Sequence, residues 1–591
     1  MSHSLALARR FPVKKLIPLL LSVAVCQAYA AEHGANGATD HRTLTLTNAG
    51  NLSANLSATG GNGDNGTQSG GNGGAASAVL DLTAAWHATG NVSAYGGNGG
   101  TPAPENATTG GYGTGGDATA TGVLRGSGAT GSAYAQGGSY SKLVAGVPNA
   151  GNANSSLTAW TTGAQAVALS SSAYAGQGGG TSTANLYVDS GVSRPAAGTA
   201  DVTGSVSAIG NNAYTPGNSI ATLTLLGTGK LTGTSLAQTG STYEEPFMEV
   251  SPAALAQSIV QGATSGKHDV TLSSTAKGGY VPIYGGGGAS AMVSGQSGSG
   301  KVSVTADASA PFQSFGSGGG ADAHAVARTT AQGGSSYAQA SASGDSLRAL
   351  AEAYSVGSGG SKAVAIGSGG VTGGDVVARS TATDGGSRLL VATSTSSAAE
   401  AAVTTSSEAA FGGLSVALPT IGGDQRSVSV VTAGGSAGLG AGMQLGVGPN
   451  IGYSVNEGQH IWQQSAAADH LWINFLDSAS GPVAFYSLDL YISNNGQTLY
   501  EGSFTSVAEA DLFFKGHTLD LGPLTAGAQN FSIRSDMTGA TGSYAFNYIL
   551  AVPEPTTWLL LLSGLTLVMV AARRKSKAGL QAPDLLHAKA C

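Results

Sequence analysis

The sequence predicts an all-β chain: a Gly/Ala-rich β-solenoid-like repeat region, then a small antiparallel β-sandwich, then an apolar helix near the C-terminus. Three observations carry this expectation. The chain of 591 residues holds 94 glycines and only 10% charged residues, and alanine is the largest single contributor to its 41% apolar fraction. Such side chains build a thin core in which backbone pairing dominates. A Ser-Ala marker recurs at Ser57-Ala58, Ser93-Ala94-Tyr95, Ser132-Ala133-Tyr134, Ser172-Ala173-Tyr174 and Ser207-Ala208-Ile209, spaced by 35 to 40 residues, and regular spacing of this kind marks a repeat architecture. Short alternating segments precede the markers, as in Leu44/Leu46, Leu52/Ala54/Leu56, Leu80/Leu82/Ala84/Trp86 and Val167/Leu169. Alternation implies strands with one buried face.

Residues 31–250 form the first repeat region in this scheme. Two segments per interval make one coil roughly 18 to 20 residues long. The pairs Gly96-Gly97, Gly137-Gly138 and Gly178-Gly179 are expected at corners that need positive φ. Residues 251–448 form a second Gly/Ala/Ser-rich β-repeat or partly disordered region. There Ala321, Ala323, Ala325 and Ala327, and later Val364 and Ile366, continue the alternation. Ser251–Ser258 and Ser346–Tyr354 have helical periodicity and are expected as capping or inserted helices.

Composition changes after Pro449: fifteen of the chain's 36 aromatic residues lie between Tyr453 and Tyr548. The segment 449–551 therefore has the means for a conventional core. Its strand-like runs are 471–476, 483–493, 497–504, 518–521, 531–534 and 544–552, and Asn494-Asn495-Gly496 between two of them signals a hairpin.

The two ends carry export features. Arg9, Arg10, Lys14 and Lys15 precede an apolar stretch from Leu16 to Val25 and the small-residue site Ala28-Tyr29-Ala30. This is the pattern of a secretory signal peptide covering residues 1–30. The apolar stretch is shorter than the roughly 20 residues of a spanning helix. Near the other end, Val552-Pro553-Glu554-Pro555 leads into an apolar run from Trp558 to Ala572 and then Arg573-Arg574-Lys575. The basic cluster belongs on the cytoplasmic side by the positive-inside rule, so both ends give one topology. Fifteen residues at about 1.5 Å each cover about 22 Å, which suits a transient stop-transfer helix.

This tail resembles the PEP-CTERM sorting signal of exopolysaccharide-producing Gram-negative bacteria, with the tripeptide, helix and basic end in order over residues 552–575. The resemblance implies recognition by an exosortase-type intramembrane enzyme, removal of the helix, and delivery to the outer surface or extracellular matrix after a transient inner-membrane stage. One departure is the 576–591 cytoplasmic tail, where the family usually stops soon after the basic cluster. A plain C-terminal membrane anchor is the alternative.

Other chemistry is poorly supported. The formal net charge of -7 forms no run, which argues against nucleic-acid binding. Cys26 and Cys591 are the only cysteines, both in the terminal segments, so the exported part is expected to have no disulfide, thiol nucleophile or thiolate metal site. Gly434–Gly438 spells a nucleophile elbow, Gly295–Lys301 most of a phosphate loop, and Gly60–Asp64 part of a calcium nonapeptide, each without its required context. His460, Asp469, His470 and His517 match no zinc spacing and are expected at solvated strand ends. Trp462, Trp472, Phe485, Tyr486 and Tyr491 are expected mostly as core, with exposure of one or two favouring a carbohydrate-stacking face. The chain thus reads as a noncatalytic surface or matrix protein without cofactor or metal. Its expected partners are the export translocon, an exosortase, and exopolysaccharide or like chains. A carbohydrate-binding surface protein is the principal alternative, and a simply membrane-anchored adhesin another.

Overall fold

The computed structural model describes residues 35–551 except 107–110, 140–149, 194–196, 214, 243–253, 281–285, 312–318, 357–359, 369–373, 383–387, 395–398, 408–426, 434–439, 448–451, 465–466, 469, 481–484 and 540–542. Two 16-stranded sheets face each other, and up to residue 407 successive strands alternate between them. Asp40–Asn48 lies in the first sheet and Leu52–Thr59 in the second; Ala76–Ala84 returns to the first and His87–Tyr95 to the second. Each strand pairs in parallel with its equivalent one coil later, as in Asp40↔Ala76 and Leu52↔Ala88. The result is a flattened, solenoid-like stack of coils.

One coil is longer than the sequence spacing suggested. Asn55 meets Asn91 across 36 residues, so the marker interval is a whole coil with two strands, where a coil of roughly 18 to 20 residues was expected. Both alternating segments of an interval belong to one turn because each lies in a different sheet.

The core between the sheets is tapered. At one edge of the second sheet runs an unbroken alanine row, Ala58↔Ala94↔Ala135↔Ala173↔Ala208↔Ala237↔Ala276↔Ala308↔Ala342, and every member is buried. Toward the opposite edge, leucine and valine fill the gap, including Leu80, Leu82, Leu157, Leu186, Leu223, Leu225 and Leu231. Methyl groups alone cannot fill the usual ~10 Å between sheets. The sheets must therefore converge at the alanine edge. Where leucines are large, glycine faces them: a Cβ on Gly90 would stand 2.6 Å from Leu124 Cδ2, and one on Gly204 would stand 2.8 Å from Leu225 Cδ2. Buried serines satisfy one another, Ser274 Oγ donating to Ser258 Oγ and Ser258 Oγ to Ser235 Oγ, both at 2.8 Å.

Beyond the alanine edge the chain leaves each coil in a glycine-rich thread whose hydrogen bonds have a period of three. Gly60, Gly63 and Gly66 donate to Tyr95, Asn98 and Thr101 of the next coil, while Gly61 and Asp64 donate to Ala38 and Ala35 of the facing thread. The third positions use asparagine: Asn98 N donates to Asn62 Oδ1 and Thr101 N to Asn65 Oδ1, both at 2.8 Å. A Gly-Gly-Asn triplet thus places all three of its amides in bonds, at the three-residue period of an extended helix without internal bonds. The glycines are required by proximity. A Cβ on Gly96, Gly97 or Gly138 would lie 1.9 Å from a carbonyl oxygen, and on Gly137 2.0 Å. Positive φ, expected at all three glycine pairs, occurs only at Gly178 and Gly179, at 117° and 107°.

Ser346–Tyr354, expected as a helix, is strand throughout; of the other expected helix, 251–258, residues 251–253 lie outside the described residues and 255–258 begin a strand. Leu255–Thr264 and Ser346–Val356 lie in the first sheet, and Leu347, Ala349, Ala351 and Ala353 face the core. In-register neighbours on either side override the local helical period. Ala321, Ala323, Ala325 and Ala327 are buried as expected. Val364 and Ile366 instead lie on the outer face, because Ala363 and Ala365 take the inward positions.

The strands after residue 451 extend the same two sheets. Gly452–Gln464 pairs in parallel with Ala399–Ser407 and antiparallel with Gly527–Gly539. The remaining strands, Trp472–Ser480, Ser487–Asn494, Gln497–Phe504, Thr518–Asp520 and Ser543–Ala551, pair antiparallel. The hairpin at Asn495-Gly496 has positive φ at both residues, 50° and 78°, as the tight turn demands. A short helix, Val507–Phe514, packs over this end. Its Phe514 stacks on Phe546 at 4.1 Å and meets Phe475 edge-on at 5.0 Å. Among the described residues, no helix is long and apolar enough to cross a membrane.

Candidate functional site

Because each coil repeats the strand register, outward residues of the second sheet form rows along the stack. The central row is Asn55↔Asn91↔Ser132↔Ser170↔Ser205↔Thr234↔Ser273↔Thr305. Strands lie about 4.8 Å apart, so hydroxyl and amide groups recur at that spacing. Flanking rows are similar: Ser53, Thr89, Thr130, Ala168, Thr203, Thr232, Thr271 and Ser303 on one side, and Ser57, Ser93, Tyr134, Ser172 and Ser207 on the other. Asn91 Nδ2 donates to Asn55 Oδ1 at 2.8 Å, Ser132 Oγ to Asn91 Oδ1 at 2.9 Å, and Ser93 Oγ to Ser57 Oγ at 3.0 Å. These bonds hold the side chains in fixed directions while leaving further donors and acceptors for a ligand.

At the alanine-edge end of this face Tyr95, Tyr134 and Tyr174 form a ladder with centroids 5.5 Å apart. The third marker is slipped by two residues, Tyr134 pairing with Ser93 and Ser172 while Gln136 faces Tyr95 and Tyr174. That slip makes the tyrosines diagonal neighbours. Burial raises the Tyr134 hydroxyl pKa, and the neighbouring Tyr95 and Tyr174 add to it.

The opposite edge, where the strands are joined by short links, holds a feature the sequence did not reveal. Trp86 lies on the link between Ala76–Ala84 and His87–Tyr95 and is 59% exposed, although alternation had placed it inward after Ala84. It borders an open groove of about 500 Å3 lined also by Asn51, Leu52, Ser53, His87, Thr89 and Gln165. His87 Nδ1 meets Gln165 Oε1 at 3.2 Å and its Nε2 meets Thr130 Oγ1 at 2.8 Å, and His87 N donates to Asn51 Oδ1 at 3.1 Å.

In the antiparallel end the histidines take separate roles. His460, expected near solvent, is buried and meets Tyr548 OH at 3.1 Å. Burial drives the Tyr548 hydroxyl pKa strongly upward. His470 contacts Asp520 at 2.7 Å, and His517 stacks on Phe513 with centroids 4.9 Å apart. Asp469 lies outside the described residues. Phe485 is buried, as expected, while Tyr486 at 67% and Trp472 at 36% are exposed. Asp511 accepts from Ser478 Oγ at 2.6 Å and Tyr544 OH at 2.9 Å, and pairs with Lys515 at 2.8 Å.

The motif spellings acquire structural roles. Gly295 faces the core, where a Cβ would lie 2.7 Å from Val304 Cγ1, and Gly60–Asp64 belongs to the glycine thread. Gly434–Gly438 lies outside the described residues, as do Ala28, Ala30, Val552, Pro553, Glu554, Pro555, Trp558, Arg573, Arg574 and Lys575. The strand Ser543–Ala551 ends immediately before Val552, held between two antiparallel neighbours. Among the described residues no three His, Cys, Asp or Glu side chains are grouped to hold a metal ion. No family model matches the chain, and no curated protein matches it.

Proposed function

We propose that this chain is a noncatalytic exported protein of the outer surface or extracellular matrix of a Gram-negative bacterium, serving as a spacer or adhesive scaffold within exopolysaccharide. In this proposal the translocon exports it behind a signal peptide ending at Ala28-Tyr29-Ala30. An exosortase-type enzyme then acts at Pro553-Glu554-Pro555 during a transient membrane stage held by the helix from Trp558 and the Arg573-Arg574-Lys575 flank. The observation that carries the scaffold role is the long, nearly uncharged array of hydroxyls and amides on the second sheet. Individually weak hydrogen bonds, repeated at strand spacing, suit an extended neutral polymer or a second copy of the chain.

The decisive experiment is intact-mass measurement of the protein from surface and membrane fractions of the producing cells. Loss of the segment from Trp558 to Cys591 in the surface form is expected; an intact tail confined to the membrane fraction refutes the processing step and makes this an anchored adhesin. A second reading, a carbohydrate-binding surface protein acting through the antiparallel end, is favoured by the exposure of Tyr486 and Trp472. Loss of polysaccharide retention on replacing either aromatic supports it.

A further inference from the structure

We infer that the groove beside Trp86 binds a neutral pyranose unit of a polysaccharide. The inference deepens the matrix role above, resting on that role for the polymer and on the groove for the chemistry. Trp86 presents an exposed indole whose N–H has no hydrogen-bond partner among the described residues. A flat ring with one polar edge packs against the C–H face of a sugar while its N–H reaches a hydroxyl. Around it Asn51, Ser53, Thr89 and Gln165 supply amide and hydroxyl groups, and neither carboxylate nor ammonium lines the groove. That chemistry matches a hydroxyl-rich, uncharged ligand and offers an anionic one no fixed positive charge such as Lys or Arg.

The site is preorganised across four coils. Asn51 comes from the first, Trp86 and His87 from the second, Thr130 from the third and Gln165 from the fourth. Gln165 reaches His87 over the third coil because that coil carries glycine at the crossing. A Cβ on Gly128 would stand 2.7 Å from Gln165 Cβ and 2.9 Å from His87 Nδ1. With both ring nitrogens engaged, His87 fixes the groove wall. The Trp86 backbone is held in place, Ser127 Oγ donating to Trp86 O at 2.8 Å. A groove held before the ligand arrives loses less entropy on binding. The groove also opens at Ser53 and Thr89, the start of an outer row, so a glycan seated on Trp86 continues along the hydroxyl face.

The test is calorimetric titration of the purified chain with neutral gluco-, galacto- and manno-tetrasaccharides and with a uronic-acid tetrasaccharide. At least one neutral probe is expected to bind. Trp86→Ala is expected to weaken it about tenfold or more and Trp86→Tyr by less than about threefold. Gly128→Ala displaces Gln165 and is expected to weaken binding with Trp86 intact. Absence of binding by every neutral probe, preference for the uronic-acid probe, or unchanged affinity in Trp86→Ala overturns the inference. Processing is read separately by mass: a trimmed surface protein with a silent groove sinks this site alone, and an untrimmed chain that binds sugar sinks the sorting step alone.

Discussion

Gly97→Ala is expected to open the glycine edge of the second and third coils. The added Cβ would stand 1.9 Å from Gly61 O, whereas real Cβ contacts essentially never fall under 3.0 Å, so the backbone must move by about 1 Å. Three bonds meet there: Gly97 N to Gly74 O at 2.9 Å, Gly74 N to Gly61 O at 2.7 Å, and Gly116 N to Gly97 O at 2.8 Å. Each contributes about 1 kcal/mol net, and up to about 3 kcal/mol if its partner is left buried and unpaired. Local destabilisation of about 3 kcal/mol, and up to about 9 kcal/mol if all three are left buried and unpaired, follows. In a solenoid such a loss falls on neighbouring coils and leaves distant ones intact. Hydrogen exchange at the amides of Gly74, Gly97 and Gly116 should accelerate on the order of a hundredfold or more, with amides of Val302–Ser309 unchanged. Gly50→Ala is the control, since nothing lies within 4 Å of its Cβ position. It should be neutral or stabilise by about 0.5 kcal/mol. Native protection in Gly97→Ala, or equal loss in Gly50→Ala, would refute close backbone approach as the reason for glycine.

Three other perturbations probe other parts of the fold. Ala208→Leu inserts three carbons where the sheets converge and should cost about 1 to 3 kcal/mol or more, read as a lowered unfolding midpoint; a native midpoint would deny the taper. Contact with His324, and then Arg379, holds the Glu352 carboxyl below its usual range, with Arg379 Nη1 at 3.1 Å. A depressed folded pKa means this stabilisation is complete above the unfolded carboxylate pKa and is lost as pH falls through the folded one. Glu352→Gln should therefore flatten the acid limb of a stability-against-pH curve and leave its shape at neutral pH unchanged. Ser506 caps the helix Val507–Phe514 by accepting from Glu509 N, while Glu509 accepts from Thr505 N at 3.0 Å. Ser506→Ala should cost about 1 kcal/mol, measured by denaturant unfolding, and Ser506→Asp should restore it.

Much of the architecture was legible because the period-two alternation and the recurring Ser-Ala marker are both written in the sequence. Ala58, Ala94, Ala173 and Ala208 are inward in the structure, and the Asn495-Gly496 turn follows from backbone sterics alone. Coil size was not legible, since a sequence records how far apart segments lie but not which sheet each joins. Ser346–Val356 shows the same limit: its local pattern allowed a helix, and in-register strands on both sides made it a strand. Trp86 shows it at the candidate site, where the strand ends at Ala84 and frees the next apolar residue to face solvent. Thus the sequence by itself determined most of the strands and the thin alanine core, and it carries the terminal patterns on which the export proposal rests. Tertiary structure alone decided the two-strand coil, the taper, the role of glycine as close-packed thread, and the groove, because each depends on contacts between residues a full coil or more apart.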